Sequence, residues 1–278
     1  MENTITQHKI NNSDNELPAT SMVVRGDPDF MLSLARGLEV LQAFTPRRQR
    51  LSVSQLSQKT HISRAAVRRC LYTLSELGFV CSCDGRNYEL LPRVLTLGHA
   101  YLMSTPLARA AQSTLNHLCN TLNECGSVAI LECGDALYIA RVSTGSIMSI
   151  DLGRGCRLPA YCCSLGKVLL SGLTEEELDS YLAGAVFTPY TQYTVLNARQ
   201  LRDELEAIRR QGYVVNDRQV EIGLRSIAVP IYSLAGKVVA AIKNVEVHAM
   251  QISVKTLEEQ MLSPLQRAAA DLALIMQT

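Results

Sequence analysis

The sequence predicts an α+β chain: an N-terminal winged helix-turn-helix, a linker helix, and a larger antiparallel sheet flanked by helices. Two observations carry that reading. The apolar period is helical as far as about residue 123 and turns strand-like from Ser127, where alternation and turn residues replace three- and four-residue steps. Charge is divided unevenly as well. Residues 33–93 hold ten Lys/Arg against four Asp/Glu, residues 106–278 fifteen against seventeen, and residues 1–32 two against five. A chain of 278 residues with 47% hydrophobic content has enough apolar material for two cores, and its net charge of +1 hides a basic module beside a near-neutral one.

Residues 1–28 are polar and aperiodic, the composition of a disordered arm. Leu34, Leu38, Leu41 and Phe44 mark the apolar stripe of a first helix, which Thr45-Pro46 ends. Arg47, Arg48 and Arg50 follow in a loop, placed either to touch phosphates or to stay solvated. Ser52-Val-Ser-Gln55 has the pattern of a capping box, opening a short helix from Val53 to about Lys59 with Leu56 inside. Thr60-His-Ile62 is then a tight connection, and Ser63 caps a second helix reaching Leu77.

That second helix separates into two faces. Val67, Cys70, Leu71, Leu74 and Leu77 form an apolar stripe. Ala65, Arg68, Arg69 and Tyr72 lie opposite, Arg64 sits at the edge, and no carboxylate precedes Glu76. Helix, short turn and arginine-faced helix suit insertion into a DNA major groove. Ser52, Gln55, Ser63, Arg64, Ala65, Arg68, Arg69 and Tyr72 are thus candidate DNA contacts. In Phe79–Leu90, Asp84-Gly85 signals a hairpin with a type I′ turn, a wing that carries Arg86 at its tip. The competing reading is a small helical bundle with a solvated charged face.

Pro92 opens a linker helix, Arg93 to Ser104. Its Val94, Leu95, Leu97, Tyr101 and Leu102 give more apolar surface than a free linker tolerates, so it is expected to pack on a second copy of itself. Pro106 breaks the pattern, and Leu107 to about Asn123 is the next helix. Ser127–Glu132 and Leu137–Val142 flank the hairpin candidate Cys133-Gly-Asp-Ala136, and Ile147–Leu152 is a third strand. Arg154–Tyr161 reads as a loop running into a helix from Cys162 to about Leu170. Thr174–Glu177 and Asn197–Gln200 are two further capping-box starts, the latter opening a helix that ends at Gly212. Tyr213–Asn216 is a strand, Leu224–Tyr232 and Val238–Val245 pair across Ala235-Gly236, and a helix from about Lys255 to Met276 follows. The expected organisation is an arm (1–28), a winged helix-turn-helix (29–91), a linker helix (92–105) and an α+β sensor-like domain (106–278).

Catalytic signatures are missing. Gly166-Lys167 lacks the upstream Gly and following Ser/Thr of a P-loop, Gly153-x-Gly155 lacks the third glycine of a dinucleotide site, and neither HExxH nor GxSxG occurs. The nine cysteines form no CxxC, and neither Cys81-x-Cys83 nor Cys162-Cys163 has zinc-ligand spacing. Reduced, mostly buried thiols in a cytoplasmic protein are the default. No apolar run approaches the roughly 18 residues of a membrane span, and no signal-peptide pattern opens the chain. Cys162 or Cys163 at a helix start leaves a thiol-dependent enzyme as the outlying alternative. No enzyme, metal or cofactor is expected. The amides around Cys162–Leu165 do offer an anion site, beside which Arg154, Arg157 and Tyr161 could hold a carboxylate and phenolic oxygens. Ordinary loop arginines are the competing reading.

Taken together, Leu34-Ala-Arg-Gly-Leu-Glu-Val-Leu41, Ser63-Arg-Ala-Ala-Val-Arg-Arg-Cys-Leu71, Leu158-Pro-Ala-Tyr-Cys-Cys-Ser-Leu-Gly-Lys167 and Gly223-Leu-Arg-Ser-Ile-Ala-Val-Pro-Ile231 resemble the IclR family of transcription regulators, in family order over about residues 30–275. Leu91–Leu102 is closer to the subgroup that responds to protocatechuate, β-ketoadipate and 4-hydroxybenzoate. The resemblance implies a winged helix-turn-helix and a GAF-like effector domain, assembled as a dimer or dimer of dimers. It also implies an effector pocket at Leu158, Tyr161, Cys162, Asn216, Leu224 and Ser226. Asn216 and Ser226 stand where some members carry Asp and Cys, so their effectors do not transfer. The expected protein is a cytoplasmic activator of aromatic-acid catabolic genes. Its expected partners are double-stranded operator DNA, a second copy of itself, RNA polymerase and a small aromatic acid, protocatechuate first, with no membrane. A ligand-released repressor is the alternative.

Overall fold

The computed structural model describes residues 27–46, 48–143, 153–248 and 253–275, with backbone alone at 245–248. The described residues form two compact units that part between Tyr101 and Leu102.

The smaller unit holds α1 (Leu32–Gln42), β1 (Leu51–Ser52), α2 (Val53–Thr60), α3 (Arg64–Glu76), β2 (Val80–Cys81) and β3 (Asn87–Leu90), with the strands ordered β1-β3-β2. Local chemistry sets the helix starts. Ser52 Oγ accepts from the Gln55 amide while Gln55 Oε1 accepts from the Ser52 amide, a complete capping box. Ser63 Oγ accepts from the Ala66 amide at the head of α3. Val40, Leu51, Leu56, Ile62, Val67, Leu71, Leu74 and Val80 make the core.

Three expectations need correction here. In α1, Leu34 and Leu38 are 59% and 47% exposed, whereas Val40, Ala43 and Phe44 are buried. Two apolar stripes run along this helix, and only packing on α3 selects the one that turns inward. Leu77 is exposed because it caps α3 and has left the helical stripe. The wing lacks a type I′ turn. Asp84 is not among the positive-φ residues, and only Gly85 is, at +69°. β2 pairs with β3 no further than Cys81↔Glu89, and the Asp84 carboxylate closes a longer loop by accepting from the amides of Arg86 (2.8 Å) and Asn87 (2.7 Å).

Beyond the wing, a 3-10 turn (Pro92–Val94) precedes α4 (Leu95–Ser104), so the linker begins as a separate turn rather than as one helix. Leu95, Leu97 and Tyr101 are exposed.

The larger unit runs α5 (Pro106–Leu122), β4 (Gly126–Glu132), β5 (Asp135–Val142), β6 (Arg157–Pro159), α6 (Ser164–Ser171), α7 (Glu175–Gly184), α8 (Ala198–Gln211), β7 (Val214–Asp217), β8 (Leu224–Tyr232), β9 (Val238–His248) and α9 (Val254–Ile275). Its six antiparallel strands are ordered β6-β5-β4-β9-β8-β7. Alternation along the strands builds a core on each face. Val128, Ile227, Val229, Ile231, Ala240 and Ile242 pack with α5 and α9, while Ala129, Ala228 and Ala241 turn toward α6 and α8. Both faces are covered, so the strands read as nearly continuous apolar runs.

The strongest two-residue turn lies between β4 and β5, where Glu132 pairs with Asp135 and Cys133 and Gly134 take φ of 49° and 82°. Residues 157–159, expected as loop, pair with β5 as strand β6. Helix α6 begins at Ser164 rather than Cys162, because Cys163 is its N-cap and its Sγ accepts from the Gly166 amide. Thr174 and Glu177 form a full capping box. Asn197 makes only the forward half, since Gln200 Oε1 reaches back to the Leu196 amide instead. The expected strand Ile147–Leu152 lies outside the described residues.

Candidate functional site

On the smaller unit, α3 turns Val67, Leu71 and Leu74 inward, which leaves Arg64, Ala65, Arg68, Arg69 and Tyr72 exposed together. Ser52, Gln55 and Ser63 spend hydrogen bonds on helix caps, so they hold the two helices in register. Arg86 is exposed in the wing loop. Arg50 is drawn to Glu89, its Nε 2.7 Å from Oε2. Arg93 donates to the Leu77 carbonyl at 2.7 Å and lies 5.4 Å from the Phe79 ring centre, fastening the end of α3 to the hairpin.

The larger unit contains a small, partly open cavity of about 30 Å³. It lies at the start of α6, between β5, β6, β7, β8 and β9. Leu158, Asn216, Leu224 and Ser226 line it, together with Tyr138, Cys163, Ser164, Gln219, Val220 and Lys243. Ser164, Asn216 and Lys243 are the deeply buried polar side chains among these. Lys243 is 6% exposed and its Nζ lies 5.5 Å from the Tyr138 ring centre. Asn216 is 5% exposed; its Nδ2 donates to the Cys162 carbonyl at 2.6 Å, and its buried Oδ1 has no partner among the described residues. That hydrogen bond fixes the amide orientation, because a flip would set Oδ1 against a carbonyl oxygen. The hydroxyls of Ser164 and Ser226 are 2.9 Å apart. Gln219 is held from below, where its Oε1 accepts from Lys167 Nζ at 2.5 Å, and from the side, where its carbonyl accepts from Thr194.

The remaining residues expected at this site are placed elsewhere. Arg154 is exposed in the turn before β6. Arg157 alternates with Leu158 on β6 and so faces away from the cavity; its guanidinium donates to Asp135 (3.1 Å) and to the Glu132 carbonyl (2.5 Å). Tyr161 is a structural tie, its hydroxyl donating to the Thr188 carbonyl and accepting from the Thr188 amide, its ring edge-on to Phe187. Burial pushes the Tyr161 hydroxyl up to about 12. Cys162 donates to the Pro159 carbonyl, and burial raises its thiol and that of Cys163. Protonated, enclosed thiols are poor nucleophiles. Sequence reasoning missed Tyr138, Gln219, Val220 and Lys243, and reached Cys163 and Ser164 only through the backbone amides around Cys162–Leu165. One signal for Lys243 was present, as a lone charge inside the apolar run Val238–Val245.

A winged helix on one unit and a small cavity with buried polar side chains in the other define a DNA-binding regulator with a separate candidate ligand site. Comparison with known proteins agrees. The description "IclR helix-turn-helix domain" matches residues 33–81, and "Bacterial transcriptional regulator IclR C-terminal" matches residues 99–274. The Pca regulon regulatory protein of Pseudomonas putida is 49% identical over 248 residues, covering 89% of this chain and 84% of that protein. The p-hydroxybenzoate hydroxylase transcriptional activator of Acinetobacter baylyi is 34% identical over 260 residues, covering 92% and 95%. An IclR homologue from Microbacterium hydrocarbonoxydans, solved with 4-hydroxybenzoate, superposes with a TM-score of 0.75 at 24% identity, covering 88% and 99%. The chain belongs to the IclR family of transcription regulators. It is a regulator rather than an enzyme.

Proposed function

We propose that this chain activates genes of aromatic-acid catabolism and that its effector is a hydroxylated aromatic acid, protocatechuate first, held in the cavity of the larger unit. The observation that carries the reading is the pairing of a buried cation, Lys243, with an orphaned buried acceptor, Asn216 Oδ1, in one cavity. A carboxylate suits the first, and a phenolic O–H donating to Oδ1 suits the second. β-Ketoadipate, a dicarboxylate, brings a second charge and no comparable donor. The names of the two curated relatives support the catabolic setting, and the 4-hydroxybenzoate complex of the structural relative supports a hydroxylated aromatic acid as the ligand class. Small-molecule pockets typically reach about 300–1,000 Å³, so a cavity of about 30 Å³ has to widen. Gln219 and Val220, on the connection between β7 and β8, are with the N-cap Cys163 the lining residues outside any helix or strand.

In this reading residues 29–91 bind operator DNA, 92–105 link, and 106–278 sense the effector, with residues 1–28 as an arm. The cytoplasmic protein works as a dimer or dimer of dimers, spacing half-sites by about 34 Å or a multiple, and recruits RNA polymerase. Thermal unfolding with protocatechuate, 4-hydroxybenzoate and β-ketoadipate tests the effector. A ligand at 100 times its Kd adds about 2.7 kcal/mol to the state that binds it. Protocatechuate is expected to stabilise the protein, and Lys243→Met to remove that gain. Stabilisation by β-ketoadipate alone, or an undiminished shift in Lys243→Met, would overturn the assignment.

The helix face has its own test. Arg68→Ala is expected to weaken operator binding roughly 10- to 100-fold, the range of about 1–3 kcal/mol for a lost base contact. Effector-induced stabilisation should persist in that variant. Loss of both together would mean that Arg68 supports the fold instead of touching DNA.

A further inference from the structure

The wing gathers three metal-ligand side chains that its sequence spacing did not suggest. Cys81 ends β2 and Cys83 follows two positions on, at the first bend of the wing loop. Glu89 is the cross-strand partner of Cys81. Its Oε1 lies 3.8 Å from Cys81 Sγ and 3.8 Å from Cys83 Sγ. The three ligand atoms all fall within 4.8 Å of one another, the one such group among the described residues. Bonds of about 2.3 Å from zinc to sulfur and about 2.1 Å to oxygen put S and O roughly 3.6 Å apart at tetrahedral angles. Only a few tenths of an ångström separate the observed spacing from that geometry.

The surroundings complete a coordination site. Glu89 Oε2 accepts from Arg50 Nε at 2.7 Å, which orients the carboxylate and leaves Oε1 for the thiols. Outer-shell partners of this kind fix metal-binding carboxylates in known sites. Two thiolates, one carboxylate, one guanidinium and one divalent cation sum to zero charge. The Asp84 carboxylate is already engaged by the amides of Arg86 and Asn87, so it does not compete.

We propose that Cys81, Cys83 and Glu89 bind a soft divalent cation of the zinc type, three-coordinate from protein with water in the fourth position. Each ion bound releases the two thiol protons to solvent. The loop between the first and last ligands carries Arg86, so the ion pins the segment that presents this arginine. The site is independent of the effector reading, because every ligand belongs to the DNA-binding unit.

The test uses the full chain, reduced and stripped of metal, titrated with Cd²⁺ and read by its thiolate-to-metal charge-transfer absorption, with Zn²⁺ as competitor. One equivalent is expected to saturate the band, and Zn²⁺ to displace it. Cys81→Ser/Cys83→Ser should abolish the band, and Glu89→Gln should weaken binding at least tenfold. Cys133→Ser, which removes an exposed thiol elsewhere, should leave it unchanged. An undiminished band in the double variant, or no saturable band in the parent protein, would overturn the proposal. Cys83 is exposed, so Cys83→Ser alone serves as a variant whose fold is not at risk.

Discussion

Gly166→Ala is expected to cost the larger unit about 3 kcal/mol or more, the upper reach of overpacking penalties. Helix α6 crosses the chain at Ala160 so closely that a Cβ on Gly166 would lie 2.3 Å from both the Ala160 Cα and its carbonyl oxygen. The obstacle is backbone, which cannot rotate aside as a side chain can. Relief requires lifting α6 off the segment after β6, and α6 carries Ser164 of the cavity and the buried Lys167. Domains are typically stable by about 5–15 kcal/mol, so the loss is a large fraction of the total. Calorimetry should show the melting of this unit lowered by roughly 6–12 °C, at about 2–4 °C per kcal/mol for its size. Gly184→Ala at the end of α7 is the matched control, since nothing lies within 4 Å of its added Cβ. If both variants melted alike, the close crossing of α6 over Ala160 would be wrong.

Where structure is decided within a few residues, the sequence was readable. The capping boxes at Ser52/Gln55 and Thr174/Glu177 form because donor and acceptor sit three positions apart on one nascent turn. Signals that depend on distant partners were not readable. The Asp84-Gly85 pair favours a type I′ turn, yet β1 pairs with β3 at Ser52↔Asn87 and draws the wing into a longer loop. The hairpin expected at Cys133–Ala136 does form, and its Cys133-Gly134 makes the tight turn because β4 and β5 are in register on both sides.

The cavity repeats the pattern. Leu158, Asn216, Leu224 and Ser226 were reached through the family resemblance, whereas Tyr138 and Lys243 lie about 100 residues apart in sequence. They meet because β4 separates β5 from β9 by a single strand. Arg157 was drawn to the cavity by its charge, but the alternation of β6 sends it to Asp135 and Glu132. Residue type suggested an anion site in each case; strand phase decided which cation faces the cavity.

Glu204→Ala is expected to destabilise the larger unit by about 2–4 kcal/mol near neutral pH, somewhat below the 3–5 kcal/mol of a fully buried broken pair. Lys167 is 0% exposed and donates to Glu204 Oε2 and Gln219 Oε1, each at 2.5 Å. The Glu204 side chain is 35% exposed, so solvent screens part of the attraction and the figure is reduced accordingly. Burial lowers the Lys167 pKa from its ordinary 10.5, and Glu204 opposes that shift. Without Glu204 the cation keeps one neutral acceptor, so its folded-state pKa falls further. A lysine with a lowered folded pKa binds its proton more tightly when unfolded, so raising the pH relieves the cost. The deficit of Glu204→Ala should therefore be largest near neutral pH and shrink as pH climbs toward 10.5. Lys167→Met should cost less than Glu204→Ala, because it removes the charge and leaves the 3.3 Å Gln219–Glu204 hydrogen bond in place. Adding Lys167→Met to Glu204→Ala should recover stability. Urea unfolding of the three variants at about pH 7 and about pH 9.5 decides the matter. A pH-independent deficit, or a double variant less stable than Glu204→Ala alone, would show that Glu204 acts by packing and not by neutralising the buried lysine.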